Sequence, residues 1–161
     1  MMNAAFTLWL PDALLLALGL LLLLAAGIDV RTYTIPNRLN LLIAVLAPLF
    51  WWSVELALWP DVAIRIGVAL LVFGLLALAF AAGMMGGGDV KLAAAVALWF
   101  PPLATVKMLV VMSIAGGVLT LLILLIHRAR AQQGRPKIPY GVAIAAGGWA
   151  ILAERYLNQF A

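Results

Sequence analysis

Apolar residues fall in six runs along the chain, and the polar residues gather between them. The runs cover residues 4–28, 39–59, 62–85, 90–100, 103–126 and 140–157. Five of the six approach or exceed the roughly 20 residues needed to cross a bilayer as a helix. Long continuous runs of this kind predict helices and not barrel strands, because a helix satisfies its backbone hydrogen bonds within one segment. The breaks carry their own signals. Asp29 ends the first run, Pro60 and Asp61 close the second, three glycines (86–88) close the third, and Pro101 and Pro102 close the fourth. The expected fold is an all-α polytopic membrane helix bundle with about six transmembrane helices. The fourth run is the exception. Its residues, at 1.5 Å of rise each, reach about 17 Å against a hydrocarbon core of about 30 Å. Either the proline turn lies below the outer surface or the glycine segment dips into the bilayer. Both arrangements predict a protein-lined pocket near Asp89.

Composition agrees with this pattern. Hydrophobic residues make up 67% of the chain and charged residues 10%, whereas soluble domains carry about 25% charge. Six spans need about 120 residues, so the 161 residues predict one transmembrane domain over 1–161. The chain has no cysteine, which excludes a disulfide, a thiolate zinc site and a cysteine nucleophile. Residues 1–3 carry no basic group ahead of the first run, so a cleaved signal peptide is not expected. The net charge of +4 reads as topology and not as nucleic-acid binding. Arg31, Arg38, Lys91, Arg128, Arg130, Arg135 and Lys137 fall on one side of the predicted spans, against Arg65, Lys107 and Arg155 on the other. The basic side is then cytoplasmic and both termini lie outside. Trp9, Trp51, Trp52, Trp59 and Trp99 fall at predicted outer ends, as an aromatic belt would. Small residues from Ala93 to Ala97 and from Ala143 to Ala150 predict close helix packing.

Few residues can do chemistry. Asp12 and Asp61 suit helix N-termini. Glu55 is expected inside the second span, paired with Arg65, and Glu154 pairs with Arg155 or meets water. His127 suits the C-terminal end of an interfacial helix. Asp29 and Asp89 differ, because each sits where an apolar helix meets the basic side. Two spans separate them, so an even number of crossings returns the chain to one leaflet. Gly86, Gly87 and Gly88 just before Asp89 are expected to stop a helix and to free the backbone for unusual dihedrals or close ligand approach. They match neither a phosphate-binding loop nor a dinucleotide fingerprint. A flexible turn with Asp89 capping the fourth helix is the structural alternative.

Two carboxylates in a poorly hydrated site can share one proton. The ionised partner then takes a proton from water while the protonated one polarises a carbonyl, which hydrolyses an amide without metal or cofactor. Two carboxylates alone make a poor magnesium site, and Ser53 and Ser113 have no histidine in view. Intramembrane acids also serve ion pathways, so a small ion- or proton-coupled carrier with Asp29 and Asp89 as relay groups is the alternative. A non-catalytic subunit of a pilus or secretion machine is the third reading.

Three segments resemble the type IV prepilin peptidases. Asp29-Val-Arg-Thr-Tyr-Thr-Ile-Pro-Asn37 is similar to their first aspartate motif. Gly86-Gly87-Gly88-Asp89-Val90-Lys91-Leu92 resembles the second, the GxGD signature with its following lysine, and Pro139-Tyr140-Gly141 resembles the segment that opens the last helix. The segments occur in the family's order. The resemblance implies an aspartic endopeptidase of the bacterial cytoplasmic (inner) membrane. Such an enzyme removes the basic leader from prepilins or pseudopilins at the cytoplasmic face, with Asp29 and Asp89 catalytic and no cofactor. In this family Gly86 and Gly88 would bend the chain so that the second aspartate can approach substrate. Lys91 would steady a carboxylate or extend to the cytoplasmic surface, and Tyr140 would line the substrate groove or anchor at the interface. Larger members carry a cytoplasmic domain with paired CxxC motifs and also methylate the new terminus. This chain resembles the short, peptidase-only type associated with Flp (tight-adherence) pili, so methyl transfer is not expected. Pilus-assembly proteins are the implied partners.

Overall fold

The computed structural model describes residues 4–130, 134 and 136–158. Arg135 and residues 1–3, used above for topology and for the absence of a signal peptide, lie outside the described residues. Among the described residues the chain is helical with no strand, and it forms α1 (Ala4–Thr32), α2 (Asn37–Ser53), α3 (Ala63–Ala81), α4 (Gly87–Ala97), α5 (Pro102–Ala129) and α6 (Tyr140–Leu157). Among the described residues, three segments are long and apolar enough to cross a membrane: Trp9–Thr32, Leu58–Ala81 and Pro102–Ala129. These properties make the chain a membrane protein.

The helices follow the apolar runs, with shifts at their ends that have physical causes. α6 occupies the expected residues, started by Pro139, which cannot continue a helix from upstream. α2 stops at Ser53, short of the expected 59. Glu55 adopts a left-handed φ of 53° in the turn that follows, so it does not lie within a span. A tight turn over Leu58–Val62, with Trp59 extended, leads into α3. α3 ends at Ala81, before the glycine run, and the turn passes through Gly83 at φ 70°, a region costly for residues with a Cβ.

α4 is the short helix, and it is largely buried. Val90, Leu92, Ala93, Ala95, Val96 and Ala97 are all in the core. It packs on α3, α2 and α6, while α6 packs on α5 and α1. Small residues permit this, as expected: a Cβ on Gly147 would lie 2.6 Å from the Met108 carbonyl oxygen on α5. In lipid, such close backbone approach supplies much of the association energy.

A helix end leaves carbonyls without intrahelical partners. The buried C-terminal end of α4 satisfies them with side chains from its neighbours. Trp51 Nε1 donates to the Leu98 carbonyl at 2.9 Å, and Arg65 Nη1 donates to the Trp99 carbonyl at 2.5 Å. Trp99 donates in turn to the Ile43 carbonyl at 3.0 Å and stacks on Phe50 at 5.3 Å between centroids. The aromatic-belt expectation therefore fails for Trp51 and Trp99, which are buried at 8% and 1% exposure. It suits Trp9, Trp52 and Trp59, which are exposed. Arg65 serves the α4 terminus and feels the charges of Asp61 and Arg155. Glu154 pairs with Lys107 and not with Arg155.

Candidate active site

Asp29 lies in the last turn of α1. The helix runs on to Thr32, where the Asp29 carbonyl accepts the Tyr33 N–H at 2.8 Å. Tyr33 then turns left-handed at φ 55°. The Thr32 hydroxyl lies 3.0 Å from the Ile28 carbonyl oxygen and 3.1 Å from that of Thr34. These contacts hold a compact turn that delivers Ile35 inward and Pro36 to the start of α2. Ile35 is buried.

Asp89 is the third residue of α4. Its Oδ2 accepts the Gly86 N–H at 3.1 Å. An acid in the first turn of a helix also meets the positive end of the helix dipole. The glycine run does not act as expected from sequence. Gly86 precedes the helix in an extended conformation, and Gly87 and Gly88 form its first turn. What requires glycine is contact. A Cβ on Gly88 would sit 3.0 Å from the Ile35 carbonyl oxygen and 3.2 Å from its nitrogen. The approach that glycine permits is to the chain's own 35–36 turn.

The third contributor is the start of α6. The Gly141 N–H donates to Asp29 Oδ2 at 2.7 Å. A Cβ on Gly141 would lie 2.9 Å from that same oxygen and 2.9 Å from Ile35 Cδ1. Ile35 therefore lies between the first turns of α4 and α6, and it links the surroundings of both acids. Asp29 and Asp89 are buried at 2% and 7% exposure, beside the two glycines that flank Ile35. The two residues placed on one face by counting spans are thus brought together.

The supporting residues divide. Lys91 Nζ donates to Asn37 Oδ1 at 2.9 Å, so its partner is an amide and not a carboxylate. Tyr140 packs over Gly116 of α5 and lines an apolar groove. Asn40 was not singled out from sequence. It is buried, and its Nδ2 donates to the Gly88 carbonyl at 2.9 Å, which ties α2 to the first turn of α4. Asn40 Oδ1 and Asp89 Oδ1 are both buried without a hydrogen-bond partner. A buried acceptor without a donor is costly, and at a reactive site it is a position for water or substrate. Residues 33–37 and 86–89 line a crevice of about 310 Å³ that reaches Asp89. Among the described residues, no third carboxylate or histidine joins the two acids in a group able to hold a metal.

Each acid is fixed through one oxygen by a backbone N–H, and the two groups can divide one proton between them. This pairing can activate water and polarise a carbonyl together. Comparison with known proteins places the chain. Searches of curated proteins and of solved structures give no match. The model of the type IV leader peptidase family matches residues 15–121, a stretch that contains both acids, the 33–36 turn and the glycine run, while Gly141 lies beyond it. The chain belongs to that family, and it is a membrane protease of the leader-peptidase type.

Proposed function

We propose that the chain is a prepilin leader peptidase with Asp29 and Asp89 as its catalytic pair. The observation that carries this reading is the joint placement of two buried acids, each held by a backbone N–H from a glycine at a helix start. One carboxylate is ionised and takes a proton from water as the water oxygen bonds to the scissile carbonyl carbon. The other is protonated and gives its proton to the carbonyl oxygen. The tetrahedral intermediate then collapses. The C–N bond breaks, the amine takes the proton held by the first acid, and a hydroxyl of the intermediate returns a proton to the second. The pair ends in its starting state.

The substrates in this reading are prepilins or pseudopilins, cut between a basic leader and an apolar helix. The chain sits in the bacterial inner membrane with six spans, both termini outside and the acids near the cytoplasmic face. The excess of basic residues in the 29–38, 86–91 and 127–139 loops supports this orientation. Cleavage needs no metal and no cofactor, and methyl transfer is not part of the activity. The absence of cysteine accords with the short, peptidase-only type serving Flp pili.

Co-expression with a prepilin tests the proposal. Leader removal, read as a gel shift, is expected with the native chain and is lost in Asp29→Asn and Asp89→Asn. Processing that continues undiminished in either variant overturns it. Proton or ion flux in proteoliposomes without a peptide product would favour the carrier reading instead.

A further inference from the structure

We infer that the substrate's apolar helix docks in the groove between α3 and α5, closed at its back by α6. This rests on the leader-peptidase reading above. The groove has a volume of about 480 Å³, and its lining includes Leu76, Met85, Met112, Gly117, Thr120 and Tyr140. It carries no charged residue. α3 and α5 touch only sparsely, so it opens sideways between them. Two of its three hydroxyls make no demand on a guest: the side chains of Ser113 and Thr120 bond to the carbonyls of Leu109 and Gly116 on their own helix. From Met112 to Leu124 the α5 wall spans about 18 Å at 1.5 Å per residue, enough for several turns of a guest helix.

Continuity with the two acids selects this occupant. Met85 precedes Gly86, whose N–H holds Asp89, and Tyr140 precedes Gly141, whose N–H holds Asp29. One end of the groove therefore meets both acid-holding glycines. A helix lying there presents the residues just before its first turn to the carboxylate pair, as a substrate cut at the edge of its apolar helix requires. A second groove of about 490 Å³ lies between α2 and α3 over α4. Its end near the acids is occupied by the Lys91–Asn37 hydrogen bond. A cation there repels a basic leader, whereas the first groove has none.

Gly117 supplies the test, because a Cβ at this position meets nothing within 4 Å. Gly117→Phe projects a ring into the groove from a Cβ that meets no neighbouring atom. Gly67 on α3 has the same open surroundings and lines neither groove, so Gly67→Phe is the control. The probe is a synthetic precursor with a basic leader and a leucine–alanine helix of roughly 20 residues. Gly117→Phe is expected to slow its cleavage about tenfold or more, the scale on which filling an apolar pocket discriminates between ligands. Gly67→Phe is expected to cleave at the native rate. The natural absence of cysteine permits a second reading that does not depend on cleavage. With a cysteine early in the precursor helix, oxidation should trap Thr120→Cys and leave Ala94→Cys, in the second groove, untrapped. Equal cleavage by both phenylalanine variants, or trapping at position 94 in preference to 120, overturns the docking site. Failure of the native chain to cleave any precursor overturns the peptidase reading instead, and the trapping pattern still reports where the helix lies.

Discussion

The N–H of Gly141 donates to Asp29 Oδ2 at 2.7 Å, joining the start of the last helix to the end of the first across 112 positions. The bond fixes one carboxylate oxygen, and its geometry depends on the missing side chain at 141. Gly141→Ala is expected to displace Asp29 or Ile35, since its Cβ would fall 2.9 Å from an atom of each. Overpacking of this kind costs about 1–3 kcal/mol. Leader removal should fall well below the native level, while Gly67→Ala, with open space around it, should leave both stability and processing intact. Thermal unfolding in detergent together with the processing gel shift checks this.

Asp29→Asn and Asp89→Asn are each expected to lower leader removal by about 10³-fold or more, because in the proposed mechanism the two acids act as a unit and such losses are not additive. The double variant should be no worse than either single one. Membrane insertion and expression should remain near native, which separates lost chemistry from lost fold.

Asn40→Leu removes the side-chain bond to the Gly88 carbonyl and leaves it the helix's own donor. The expected cost is about 0.5–1.5 kcal/mol. The first turn of α4 carries Asp89, so processing per folded molecule should also fall. A variant with normal stability and normal processing would remove Asn40 from the site's support.

Arg65→Met takes the donor from the Trp99 carbonyl at the other end of α4. It should destabilise by a similar amount but leave processing per folded molecule unchanged, because the acids sit at the opposite helix end. A detergent melting curve and a rate normalised to folded protein distinguish the two effects.

Hydropathy located the six helices well, and α6 starts and ends where the apolar run does. Counting spans also put Asp29 and Asp89 at the same end without any contact information. The errors share a cause: one-dimensional patterns do not say what a side chain faces. Trp51 and Trp99 look like belt residues by position, yet their indole N–H groups serve carbonyls in the core. The glycines before Asp89 look like a helix stop, whereas Gly83 makes the turn and Gly88 makes room for Ile35. Gly141 belongs to a motif legible in the sequence, but its grip on Asp29 comes from a backbone N–H, which every residue except proline possesses. Asn40 gave no signal at all, since a polar residue near a helix start is expected at a membrane surface.

The neighbouring helices bury most of α4, the helix that carries Asp89. α4 is wrapped by α2, α3 and α6, so changes in acyl-chain length press first on the long outer helices. Hydrophobic mismatch there is relieved by tilt, at a modest cost per ångström. The turnover rate should then vary little between thin and thick bilayers, even where the melting temperature shifts.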